Sequence, residues 1–270
     1  MKVRILKYIM ILAVLSGLLV LWGFSIQYKM RQACQDIRVE IIQEEGNYFI
    51  GIERLRAHLR SIIYDETKDS RVLAKTMGEI NLIEVESLLE ANPFIQNAEV
   101  YRRNGGILEV KVQLRKAIAR MMNIRGESFF VDSEGKLMPL SPDYTPNVLL
   151  ISGKVLESPS IGDTLRTENG KALLPMLQYI HQDEFFRAQI SEMVMDRDGN
   201  LTIYPETGSI LIDFGTTARY KEKLENLMLF YRQVLNRTGW DRYKKVSVRY
   251  KGQVVAEKRN PYDPDISEFE

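Results

Sequence analysis

Hydrophobic and polar residues follow three patterns in turn along the chain. The first is continuous. From Tyr8 to Tyr28, 21 residues (YIMILAVLSGLLVLWGFSIQY) carry no charge. A helix of that length spans roughly 31 Å at about 1.5 Å per residue, close to the ~30 Å hydrocarbon core of a bilayer. Eleven of the 21 are Leu, Ile, Val or Phe, and together they contribute roughly −3 to −7 kcal/mol to insertion. Tyr8 at one end and Trp22 and Tyr28 at the other suit the interfacial belts.

The second pattern mixes period 2 with period 3.6. Ile37–Ile42 predicts a strand, and Ile52, Leu55, Leu59 and Ile62/Ile63 predict a helix. Leu82, Val85 and Leu88/Leu89 predict another, opened by Asn81 with Glu84 three residues on as a capping box. Asn92-Pro93 ends it, because proline disfavours helical geometry in the residue before it. Ala98–Arg102, the turn Asn104-Gly105-Gly106 and Ile107–Leu114 predict a hairpin. Its second strand puts Leu108, Val110, Val112 and Leu114 on one face, with Glu109, Lys111, Gln113 and Arg115 on the other. Residues 37–114 therefore read β-α-α-β-β, a three-stranded sheet covered by two helices.

Beyond Lys116 strands and helices are interspersed with turns. Phe129–Asp132 and Lys136–Leu140 flank Ser133-Glu134-Gly135 as a hairpin, and Val148–Ile151 is an apolar strand. Residues 168–182 predict a helix with Leu173, Leu174, Leu177 and Ile180 on one face, although Pro175 falls inside it. Turns at 196–200 and 206–208 border Leu201–Tyr204 and Ser209–Phe214. A long helix begins near Thr216/Thr217, buries Tyr220, Leu224, Leu227, Tyr231 and Val234/Leu235, and ends at Gly239. Lys245–Tyr250 and Gln253–Glu257 are the closing strands around Lys251-Gly252. The tail 258–270, with two prolines and excess acid, reads as disordered.

Charge sharpens the picture. Lys and Arg (37) nearly balance Asp and Glu (36), which excludes a generally basic nucleic-acid binder. Of the net +1, residues 1–31 contribute +5 and the remainder −4. Lys2, Arg4 and Lys7 precede the apolar span, so the positive-inside rule places the N-terminus in the cytoplasm and the bulk of the chain outside. A cleaved signal peptide shares the basic start and apolar middle. The length of the run and the lack of a small-x-small site favour an uncleaved anchor. Arg31-Gln32-Ala33 before Cys34 is a poor lipobox.

Candidate chemistry is sparse. One cysteine and two histidines exclude a disulfide framework, a multi-cysteine metal site and a His-rich metal centre. Asp213-Phe214-Gly215 lacks every other kinase motif and reads as a strand end. Asp196-x-Asp198-Gly199 lacks the later ligands of a calcium loop and reads as a hairpin turn. His58 sits on a solvated helix face, and His181 ends a helix, where a cation favours the dipole. Cys34 lies where a lipidation site would, but reads more simply as a juxtamembrane thiol. Arg102 and Arg103 form a basic hairpin tip, either solvated or in contact with an acidic partner or lipid headgroups.

A basic start, one span and a β-α-α-β-β unit resemble a membrane-attached POTRA domain, and Ile83–Val100 followed by Ile107–Arg115 resembles its helix-Asn-Pro-x-Ile-strand signature. Phe130–Gly135 resembles the V-D-x-x-G hairpin that opens the β domain of the bacterial cell-division FtsQ (DivIB) family, and Val246–Tyr250 after a long helix resembles that family's closing segment, with Ser247 where the family often carries Asp. The resemblance implies an α+β chain: segment 1–7 in the cytoplasm, a transmembrane helix 8–28, a POTRA domain 36–115, a mixed β domain 116–257 with an exposed C-terminal edge strand, and the tail. It further implies a non-enzymatic divisome scaffold of the inner membrane, without cofactors, that recruits the FtsB–FtsL pair. Strand addition would suit Val248, Arg249, Tyr250, Gly252, Gln253, Val254, Val255 and Ala256, with Val254 and Ala256 on one face and Gln253 and Val255 on the other. Asn97–Leu114 would touch other septal proteins. The competing readings are a POTRA factor of envelope protein assembly or secretion, and an anchored cell-envelope hydrolase.

Overall fold

The structure is a computed structural model. It describes residues 2–42, 49–66, 72–153 and 162–260. The chain forms two compact units, Met1–Leu114 and Arg115–Glu270.

In the first unit, helix α1 (Lys2–Arg31) is followed by β1 (Asp36–Ile42), α2 (Ile52–Ile63), a short pair β2 (Tyr64–Glu66) and β3 (Val72–Ala74), α3 (Leu82–Glu90), β4 (Ile95–Arg103) and β5 (Ile107–Leu114). Within Met10–Arg31 an 18-residue window has a mean hydropathy of 2.0, and none of that window is buried. The sheet order is β1-β5-β4, with β1 parallel and β4 antiparallel to β5. Its apolar face carries Leu108, Val110, Val112 and Leu114, as the alternation predicts. These pack with Leu55, Leu59 and Ile63 of α2 and Val85 and Leu89 of α3. The β2–β3 pair is an addition to the expected β-α-α-β-β order.

The predicted capping box of α3 does not form. Asn81 occupies the N-cap of α3 but makes no side-chain cap bond. In the turn before it, the Thr76 N–H and hydroxyl both donate to Glu79 Oε2 at 2.8 Å. This binding holds the Glu79 carboxyl below its ordinary range.

The second unit is built on nine strands: β6 (Ala117–Asn123), β7 (Ser128–Asp132), β8 (Leu137–Met138), β9 (Leu149–Gly153), β10 (Ile190–Met195), β11 (Leu201–Pro205), β12 (Leu211–Gly215), β13 (Tyr243–Ser247) and β14 (Val255–Lys258). Their spatial order is β14-β13-β12-β11-β10-β9-β6-β7-β8, a mixed sheet. Helices α4 (Glu168–Gln182), α5 (Glu184–Gln189) and α6 (Tyr220–Phe230) pack on it. Pro175 lies inside α4. The predicted long helix is shorter at its start and changes pitch within: Tyr231–Leu235 is π-helical, and Asn236–Thr238 returns to α geometry.

The core joins Phe129, Val131, Ile151, Met193, Ile203, Ile212 and Phe214 of the sheet to Leu173, Leu177, Leu224, Leu227 and Tyr231 of the helices. Strands β6 and β10 and helix α5 were not anticipated. The closing strands also shift. The first ends at Ser247, not Tyr250, and the second runs Val255–Lys258, not Gln253–Glu257. Lys258 is therefore strand, not tail; residues 261–270 lie outside the described residues.

Candidate strand-addition edge

A sheet edge is an unfilled row of main-chain donors and acceptors, and the described residues contain two outer strands in each main sheet. In the second unit β8 is only two residues long and is covered: Leu137 N–H donates to the Asp163 carbonyl at 2.7 Å, and Gly162 N–H to that of Leu137 at 3.0 Å. In the first unit β4 is closed by carboxylates, since Val100 and Ala98 donate to Glu86 and Glu90 at 2.8 and 3.1 Å. Strand β1 alternates buried Ile37 and Val39 with exposed Asp36, Arg38 and Glu40, charges of the kind that discourage pairing. Strand β14 begins with the apolar Val255 and Ala256, carries its charges later at Glu257 and Lys258, and has no cover among the described residues.

Among the described residues β14 pairs only with β13, antiparallel: Ser247 faces Val255, Val246 faces Ala256 and Lys245 faces Glu257. Arg259 N–H donates to the Arg242 carbonyl at 2.9 Å, on the β13 side. Main-chain groups alternate along a strand, so those of Val255 and Glu257 face β13 and those of Ala256 and Lys258 face outward. The Arg259 guanidinium reaches back to the Ser209 hydroxyl and carbonyl, fixing the strand's end.

The side chains divide as the alternation requires. Val254 and Ala256 pack against the core, while Gln253 is exposed and Val255 is 51% exposed. Tyr250, 53% exposed, stands at the turn before the strand. Val248 belongs elsewhere: it is fully buried, and its N–H donates to the Asp213 carbonyl at 3.0 Å. Its side chain is part of the core and offers no surface to a partner.

The turn between β13 and β14 is held from the rest of the unit. Gly252 adopts φ +65°, a conformation that glycine takes without strain, and its N–H donates to Glu222 Oε1 at 3.2 Å. Arg219, itself at φ +55°, donates from Nη2 to the Arg249 carbonyl at 3.4 Å and pairs with Glu222. Arg249 Nη2 lies 3.2 Å from Asp213 Oδ1, so the guanidinium already has a partner within the fold. Lys245 Nζ stands 3.7 Å from Asp213 Oδ2, and the Ser247 hydroxyl donates to the same oxygen at 3.2 Å. An Asp at 247 would set a second carboxylate against Asp213; serine supplies a donor instead.

Beneath this cluster Lys223 is buried, donating to the Thr216 carbonyl at 2.7 Å with its ammonium 5.0 Å from the Phe214 ring centroid. Burial first, and then the charges of Arg219 and Arg249, lower its pKa from the ordinary lysine value. Sequence reading missed Asp213, Arg219, Glu222 and Lys258 as parts of this edge. The available signal was a lone Asp on β12 opposite the alternating Lys245, Ser247 and Arg249.

Residues 116–257, just over half of the chain, match the family described as FtsQ/DivIB, C-terminal related. The chain belongs to the FtsQ/DivIB C-terminal-related family. Residues 32–113 match a POTRA-like domain. No curated protein matches the chain. In this FtsQ/DivIB-related chain the matched C-terminal region runs from β6 into β14, so the open edge falls at its end.

The remaining candidates resolve simply. Cys34 is 3% exposed in the core of the POTRA-like region, so it is not a surface lipidation site; burial is the main cause that raises its thiol pKa. Arg102 is a staple rather than a bare tip, donating from Nε to the Met77 carbonyl at 2.7 Å and from Nη2 to that of Ile80 at 2.6 Å. Arg103 pairs across the hairpin with Glu109. His58 is exposed on α2, and His181 lies in the last turn of α4. Asp196 Oδ1 accepts the N–H groups of Asp198 and Asn200, an ordinary turn. Among the described residues no group of three or more His, Cys, Asp or Glu side chains is placed to hold a metal ion.

Proposed function

We propose that this FtsQ/DivIB-related protein is a non-enzymatic scaffold of the bacterial divisome. It is anchored in the cytoplasmic membrane by α1, with its N-terminus in the cytoplasm and both units outside, and it works at the septum. Strand β14 receives a strand of the FtsB–FtsL pair, and the bound pair brings later septal components to the site.

One observation carries this reading: among the described residues β14 ends a nine-stranded sheet with one flank unpaired, and Val255 is exposed beside it. A partner strand laid there gains hydrogen bonds at Ala256 and Lys258, each worth about 0.5–1.5 kcal/mol net, and covers the Val255 side chain. Tyr250 is a contact of the residue type enriched at binding hot spots. Arg249 contributes by holding the turn on Asp213. The cluster of Arg219, Glu222 and Asp213 sets the edge before the partner arrives, which lowers the ordering cost of binding.

The test is co-purification of FtsB–FtsL with the full-length chain. Ala256→Pro removes an outward N–H that the fold does not use, a position where a sheet edge tolerates proline. Val255→Glu alters only an exposed side chain. Both variants are expected to fold and to lose the pair. Retention of the pair by both would contradict the site.

A further inference from the structure

Helix α1 does not reach the sheet of the first unit through a free linker. Gly78 N–H donates to the Met30 carbonyl and Met77 N–H to that of Gln32, both at 2.8 Å. Ala33 bridges Thr76, and Gln35 N–H donates to the Gly106 carbonyl at 2.8 Å. Gly106 has φ +72°, and a Cβ on it would stand 2.6 Å from the Ala33 carbonyl oxygen. The β4–β5 hairpin tip and the loop before α3 are thus fixed against the last turn of α1.

Between them lies a cleft of about 260 Å³, lined by Lys29, Arg102 and Arg103 together with the amides of Gln32 and Asn104, and with no carboxylate among its lining residues. Glu109 stands just outside, paired with Arg103. Arg102 commits Nε and Nη2 to main-chain carbonyls and keeps Nη1. At the helix end the carbonyl of Met30 accepts from the loop and that of Lys29 accepts Gln32 N–H at 3.3 Å, and just beyond the helix that of Gln32 also accepts from the loop, which offsets part of the negative character there. The cleft therefore presents donors and positive charge.

Its depth follows from the helix. Tyr28 is the last residue of the uncharged run. At about 1.5 Å per residue, Lys29 to Gln32 occupies roughly the next 6 Å, and the headgroup layer of one leaflet is about 5–7 Å thick. We propose that this cleft binds the phosphate of an anionic phospholipid headgroup in the outer leaflet, an inference that rests on α1 being an uncleaved anchor. Lys29, Arg102 and Arg103 outweigh the neighbouring Glu109, so the site favours a headgroup that brings no cation of its own. A bound lipid ties the helix exit to the POTRA-like sheet.

The test places the full-length chain in nanodiscs of mixed phosphatidylcholine and phosphatidylglycerol and measures which lipid is retained on its release by native mass spectrometry. Phosphatidylglycerol is expected to be enriched. Lys29→Gln with Arg103→Gln is expected to reduce the enrichment by about fivefold per cation, and Arg197→Gln with Arg237→Gln, the same charge change at exposed positions of the second unit, to leave it intact. Arg102 is spared because it holds the fold. Equal retention of the two lipids by the unaltered chain, or enrichment that survives the double variant, would overturn the site. Inorganic phosphate added to phosphatidylcholine nanodiscs is expected to leave amide exchange at 104–106 unchanged; protection there would assign a soluble anion and overturn the lipid. Intact mass of the membrane-extracted chain separates the two readings. A chain cut before Cys34 overturns the anchor and the lipid site together, whereas an intact chain without lipid preference overturns the lipid site alone.

Discussion

Glu86 Oε1 accepts the main-chain N–H of Val100 at 2.8 Å. Glu90, one turn further along α3, does the same for Ala98 at 3.1 Å. The match is geometric: four helical residues rise about 6 Å and two strand residues about 6.8 Å. Two carboxylates thus stand where the carbonyls of an added strand would stand, and β4 is closed to partners by its own helix.

Replacing both carboxylates therefore opens β4. Glu86→Ala with Glu90→Ala is expected to speed amide exchange at Ala98 and Val100 and to cost about 0.5–1.5 kcal/mol per lost bond. Concentration-dependent self-association should accompany the change, read by light scattering. Exchange rates equal to those of the unaltered chain would show that the carboxylates do not guard the edge.

The Tyr231 hydroxyl is buried and meets no hydrogen-bond partner among the described residues, and burial raises its pKa. Its ring stacks on Trp240 at 5.3 Å and meets Phe185 edge-on at 6.0 Å. Tyr231→Phe keeps both ring contacts and removes an unsatisfied polar group. It is expected to stabilise the second unit by about 1 kcal/mol, measured as slower global exchange of its core amides.

Arg115 lies 2.7 Å from Asp132 Oδ2 and 2.8 Å from Glu134 Oε2, with the Arg115 and Asp132 side chains largely buried. Asp132 Oδ1 also accepts the N–H groups of Glu134 and Lys136. One residue thus closes the β7–β8 turn and neutralises the arginine. Asp132→Ala is expected to cost about 2–4 kcal/mol, whereas Glu134→Ala, at the exposed end of the same cluster, is expected to cost about 1 kcal/mol or less. Thermal unfolding of the two variants checks the order.

Cys34 is buried, and its thiol pKa is raised first of all by that burial. A thiol reagent is expected to label it slowly in the folded chain and rapidly after denaturation. The sign for stability follows. The unfolded thiol ionises at lower pH than the folded one, so folding loses the benefit only as pH rises above the ordinary thiol range. Rapid labelling of the native protein would contradict its place in the core.

Much of this architecture is legible from periodicity where one face of an element is wet. Strand β5 alternates because α2 and α3 cover one of its faces and leave the other less enclosed. Strand β6 hides from the same reasoning because neither of its faces is exposed: Ala117, Ile118, Ala119, Met121 and Asn123 are buried, and Arg120 and Met122 are half-buried. The edge itself was half legible. The face assignments of Val254, Val255 and Ala256 hold, yet the strand begins two residues late. Glu222, thirty residues earlier in the chain, takes the Gly252 N–H in the turn before the strand, a contact that no local pattern announces. The carboxylate seal on β4 left no sequence signal beyond the ordinary polar positions of a helix.

The most direct test of the central claim is amide exchange along β14 in the full-length chain, with and without the FtsB–FtsL pair. The outward amides of Ala256 and Lys258 are expected to become protected on binding, while those of Val255 and Glu257, already bonded to β13, change little. Binding that leaves Ala256 and Lys258 exchanging freely, with protection appearing on β1 or β4 instead, would contradict strand addition at this edge.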